Sequence, residues 1–277
     1  MSPAAIVEAA QKRRWDEVRR GAAAHARGPG SEPLVAALAG EDVIPVLEAL
    51  ADLLVDRGAE ELAAKLDAAR FTEAARRLEQ SPTEAARVAA GLAAADLGDG
   101  SAPAAAPVWY ARALDLLGGV PGVDGARHRA LVHSRAGNQA EEAQDRPAAE
   151  AHYRAALDEL RPHAEGGDPR VLRGLQVDLG NLSALLADPE VGPDEHTWEA
   201  IAVGRRLAAD PAADTDVLVD LAEQLALVVE FAADPDQARV WAAEVVELWE
   251  RVERIAPDPG ASAALGEARA VLAALEA

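Results

Sequence analysis

The chain has 277 residues, half of them hydrophobic but only 3% aromatic, and a formal charge of −21 at pH 7. This composition excludes an intrinsically disordered polymer. With no cysteine it also excludes disulfide scaffolds, thiol catalysis and Cys-ligated zinc. Alanine, the best helix former, fills 68 positions, and no stretch alternates cleanly at period two, so the expected class is all-α.

Residues 1–40 read as helical but match no recognisable pattern. Lys12, Arg13, Arg14, Arg19, Arg20 and Arg27 outweigh Glu8, Asp16 and Glu17 there, as on a solvated helix face. Residues 1–15 show no basic-then-apolar signal pattern, and VIPVLEALADLLV (43–55) is too short and too acidic to span a bilayer. The expected compartment is the cytoplasm. Abundant Ala and Arg beside only two lysines, Lys12 and Lys65, fit a GC-rich bacterial genome. Residues 188–277 carry twenty acidic against six basic side chains, a field that repels phosphate backbones and makes nucleic acid an unsuitable partner.

Helix starts are marked by a capping residue ahead of proline at Ser2-Pro3, Ser81-Pro82, Asp168-Pro169 and Asp234-Pro235. Ser81 with Glu84, and Asp234 with Gln237, extend to the capping-box spacing. Breaks fall at 98–103, 118–125, 163–169, 188–194, 210–216 and 256–260, with segments of helix length between them.

One helix-pair pattern recurs along these segments. In 87–117, Ala94 and Ala106 stand twelve residues apart, followed by Tyr110 and Ala113. In 130–162, Gly137 and Ala149 repeat the step, followed by Tyr153 and Ala156. In 219–249 it falls on Ala226 and Ala238, followed by Ala242 and Val245. Segment 177–211 needs about five extra residues in its turn but offers Asn181 and Ala200. A looser version, Ala51 and Ala63, lies within 43–77. The aromatics Trp109, Tyr110, Tyr153, Trp198, Trp241 and Trp249 are expected to pack between pairs.

"AGN" (136–138) and "AEAHYRAAL" (149–157) resemble the tetratricopeptide repeat, a helix–turn–helix unit of about 34 residues. The resemblance implies a right-handed α-solenoid of antiparallel helix pairs. The expected organisation is an N-terminal helical region over 1–80 with one degenerate repeat at 43–77, a repeat array over 81–255, and a capping helix over 260–277. Stacked pairs curve, so the first helix of each lines a concave groove. Family members that bind extended peptides place asparagines on those helices, and Asn138 and Asn181 fall at such places; solvent-facing or helix-bonded asparagines are the alternative reading. Where the family's carboxylate-clamping members carry Lys or Arg, this chain has Ser134, Asp220 and Gln224. The candidate groove residues are therefore Asn138, Asn181, Ser134 and Gln224, and a neutral or basic segment suits them better than a free carboxylate.

Catalysis finds no support. There is no GxSxG, no HExxH, and no two histidines three or four apart; Gly98-Asp-Gly100 lacks the rest of a nucleotide loop. No cofactor and no metal are expected. The leading expectation is a non-catalytic scaffold or adaptor that binds a peptide or protein segment, with no membrane or nucleic-acid partner. A helical accessory enzyme or small-molecule sensor, with its pocket between the N-terminal helices and the array, is the alternative. Self-association through an exposed end face is a third option.

Overall fold

The computed structural model describes residues 60–187 and 191–277. The expected helices of 1–40 and the first half of the 43–77 repeat lie outside them. Ten α-helices and one 3-10 helix make up the regular structure of the described residues, with no strand, so the fold is all-α. They fall into two compact units divided after Gln144.

The first unit contains α1 (Glu60–Gln80), α2 (Glu84–Asp99), α3 (Ala106–Leu117) and α4 (Gly122–Glu142). Each packs on its neighbour, and α4 also touches α2, the consecutive pairing of an α-solenoid. The α2–α3 crossing uses the small residues expected of it: Ala94, Ala106 and Ala113 are fully buried. A Cβ added at Gly91 would meet Leu117 at 2.6 Å, and one at Gly98 would meet the Tyr110 ring at 2.7 Å. The glycine that fails as a phosphate loop thus serves as the seat of an aromatic ring.

The second unit contains α5 (Arg146–Leu160), a 3-10 turn (Arg161–Gly166), α6 (Pro169–Leu186), α7 (Glu195–Ala208), α8 (Thr215–Glu230), α9 (Pro235–Ile255) and α10 (Pro259–Glu276). Here too each helix packs on the next, and α6 also meets α8. The 130–162 pattern is split between units, its first helix being α4 and its second α5.

Caps follow local chemistry. Asp145, Asp168, Asp194, Asp234 and Asp258 each accept from a backbone N–H of the turn they open. The cap expected at Ser81 falls instead on Thr83, whose hydroxyl accepts from Ala86 N at 3.2 Å, so the Ser81–Glu84 box does not form. The helix simply begins two residues later.

Two further expectations are corrected. Ala226 is exposed, and the fully buried small residue on α8 is Ala222. Leu218, Leu221, Ala222, Leu225 and Val228 form the inward stripe, which leaves Ala226 exposed at its flank. Trp198 does pack between pairs, its ring tilted against Trp241 at 5.3 Å, but at 42% exposure it is not the core residue expected. Tyr110 and Tyr153 are buried as expected, while Trp109, Trp241 and Trp249 are half-buried against the cores of their units.

The first unit holds a charged network. Arg135 donates to Asp99 at 2.7 Å and to Asp96 at 2.6 Å, and Arg70 pairs with Asp96. Beside it, burial pushes the Asp67 carboxyl up to about 6, with Asp96 adding to the rise and Arg70 opposing it. A folded pKa above the unfolded value means the native state holds this proton more tightly. Asp67 therefore favours folding most at low pH, and that advantage is lost as pH rises from about 4 to about 6. Asp67→Asn should leave thermal stability unchanged near pH 4 and raise it above pH 6. Melting temperatures of both proteins across that range check this; a difference that does not grow with pH would refute it.

Candidate functional site

On α6, Arg173, Val177, Gly180, Asn181 and Ala184 recur at helical spacing along one side, and on α8 so do Asp220, Glu223, Gln224 and Leu227. These two rows line a groove of about 480 Å³ in the second unit, with Thr197 of α7 and Gln176 and Ser183 of α6 beneath. Both α6 and α8 are first helices of their pairs.

A layer of satisfied polar side chains holds the rows at their spacing. Gln176 is fully buried; its amide donates to the Val217 carbonyl at 3.1 Å, and its oxygen accepts from Arg173 at 3.0 Å. A Cβ added at Gly204 would come within 2.9 Å of that amide nitrogen, so only glycine on α7 leaves it room. The Ser183 hydroxyl meets that of Thr197, which in turn donates to Asp194 at 3.0 Å, joining α6 to the cap of α7. Buried polar groups paired in this way are inexpensive and specify one register between helices.

The groove has an electrostatic sense. Arg173 donates to both Asp220 and Gln176, so its charge is already compensated. Glu223 is exposed and has no ion pair among the described residues. Gln224 lies across the backbone of α6, its amide nitrogen 3.0 Å from where a Cβ at Gly180 would stand, and its buried oxygen accepts no hydrogen bond among the described residues. Leu227, 36% exposed, forms the apolar end, and Phe231 follows one turn on at 40%.

Of the four residues singled out from sequence, Asn181 and Gln224 line this groove together. Asn138 and Ser134 do not; they sit on α4 of the first unit, where Asn138 is exposed and the Ser134 hydroxyl donates to Ala130 of its own helix at 3.0 Å. Sequence reasoning missed Arg173, Gln176, Glu223 and Leu227. The four-residue spacing of Glu223 and Leu227 was a readable signal. The pairing of Arg173 with Asp220, 47 residues away, was not. Among the described residues no group of three His, Asp or Glu side chains is placed to hold a metal ion, and no helix is long and apolar enough to cross a membrane. The expected pocket next to the N-terminal helices involves residues outside those described.

Helices packed consecutively within each unit, with α6 and α8 lining one groove of the second, define an all-α protein of the helical-repeat kind. No family model matches the sequence, and no curated protein matches it. Among solved structures, the chain is similar to Nro1, a hypoxic regulator of sterol synthesis described as a nuclear import adaptor. The two are 13% identical, with a TM-score of 0.54, over 96% of this chain and 88% of that one. That likeness shows the fold.

Proposed function

We propose that this chain is a non-catalytic adaptor that holds a protein segment in the α6–α8 groove. The observation that carries the reading is the joint placement of Asn181 and Gln224 on facing first helices, beside an arginine whose charge is already neutralised. Amides can read a main chain by donating and accepting at once. A compensated Arg173 offers little to a free carboxylate, so the groove suits an internal segment. Repeats of the tetratricopeptide type, a bacterial source and a cytoplasmic site of action belong to the same proposal. The repeat type is supported by the buried small residues at 94 and 106, and the bacterial source by the alanine-rich, lysine-poor composition. An adaptor among similar folds is compatible with it.

The test is affinity capture with the intact chain from an extract of its own host, compared with the N181A/Q224A pair and with Gly180→Ala. The Gly180 change adds about 1 kcal/mol of helix propensity and meets only the flexible end of Gln224, so the fold should persist while that amide is displaced. Both variants should lose the same captured proteins while staying folded, with Gly180→Ala melting no lower than the parent chain. An unaltered captured set would refute the groove.

A further inference from the structure

Resting on the groove assignment above, we infer that the occupant is an extended segment with a basic side chain two residues from a large apolar one. Three features of the second unit lead there. Glu223 is a solvent-facing carboxylate with no ion pair among the described residues, in a groove whose only arginine is already matched to Asp220. Leu227 stands one turn further along the same helix and keeps 36% of its surface open; Phe231 repeats the spacing with 40%. Between the two rows Gln224 holds a buried oxygen without a donor among the described residues.

The spacing sets the pattern. Four residues of helix advance about 6 Å along the axis. Two residues of an extended chain advance about 6.6 Å and bring side chains back to the same face. A segment lying along α8 therefore matches Glu223 and Leu227 with alternate residues, and in longer segments can reach Phe231, the residue that caps the helix. Charge complementarity makes the first of them Lys or Arg. Open aliphatic and aromatic surface makes the next, and in longer segments the third, Leu, Met or Phe. The intervening residues turn their side chains away and leave main-chain N–H and C=O groups toward Gln224 and Asn181. Either chain direction satisfies this geometry, so the recognised pattern is basic-x-apolar read both ways.

The probe is a displayed library of random octapeptides panned on the full chain, followed by affinities of the enriched peptides in solution. Enrichment of Lys or Arg two positions from Leu, Met or Phe is expected. Such peptides should lose at least tenfold in affinity on Leu227→Asp and on Glu223→Lys, and regain it on Glu223→Lys when their basic residue is replaced by Glu. Glu223→Lys, at a solvent-facing site, should keep the melting temperature of the parent chain; Leu227→Asp, at a side chain 36% exposed, should lower it without changing helix content, so binding is read well below the melting point. Peptides that depend on Asn181 and Gln224 but lack this spacing would overturn the inference and leave the groove standing. Peptides indifferent to N181A/Q224A as well as to Glu223→Lys, or no enrichment, would overturn both.

Discussion

Replacing Tyr110 by Ala should destabilise the first unit by about 3–5 kcal/mol, the range for emptying a buried aromatic site. Tyr110 is 3% exposed, and its ring lies against the backbone of α2 at Gly98. Its hydroxyl donates to Asp99 at 2.5 Å, and burial followed by that carboxylate raises its pKa, so it stays a donor. Tyr110→Phe keeps the ring and should cost only about 1–2 kcal/mol, because Asp99 retains Arg135. Gly98→Ala approaches the same contact from the other side. Its methyl would overlap the ring at 2.7 Å, a cost of about 1–3 kcal/mol that exceeds the gain in helix propensity of about 1. The two changes together should cost less than their sum, since the methyl then enters the vacated space. Denaturant unfolding of the three variants and the double checks this. A Tyr110→Ala cost below about 1 kcal/mol would show that the ring does not hold α2 on α3.

Gly125→Ala is the second large effect, and here helix propensity points the wrong way. Gly125 lies in the first turn of α4, and an added Cβ would sit 2.0 Å from the Val120 carbonyl oxygen and 2.7 Å from its carbon. A backbone atom cannot swing aside as a side chain can. The α3–α4 turn would have to shift, along with the Arg129 bond to Val120 at 3.1 Å. The expected loss is about 3 kcal/mol, at the upper end for overpacking. Gly266→Ala on α10 is the control: nothing lies within 4 Å of its Cβ, so it should stabilise by about 0.5–1 kcal/mol. Melting temperatures moving in opposite directions would confirm the distinction; a gain from both would refute it.

Much of the fold could be read along the chain. An Asp before proline placed the starts of α6 and α9 to the residue, and Ala94, Ala106, Tyr110 and Ala113 foretold the α2–α3 crossing. These are local matters, in which a cap, a missing N–H or a small residue acts within one or two turns. The same reasoning misplaced Ala226, because a twelve-residue step leaves the rotation of a helix about its axis undetermined; the inward stripe through Ala222 sets it.

The candidate site divides in the same way. Asn181 and Gln224 could be picked out as polar residues on first helices, yet nothing in the sequence distinguishes them from Asn138 and Ser134. Tertiary structure brings the first two together, packing α6 against α8 through Gln176 beside one groove, while Asn138 and Ser134 lie on α4 of the other unit. It also turned Arg173 from a surface charge into the partner of Asp220, which leaves Glu223 as a groove carboxylate with no ion pair among the described residues. Helix formation depends on neighbours a few residues apart, and so the sequence alone determined it. Which side chains share a cleft, and which charges cancel, depends on contacts between residues more than forty positions apart, and only packing decided those.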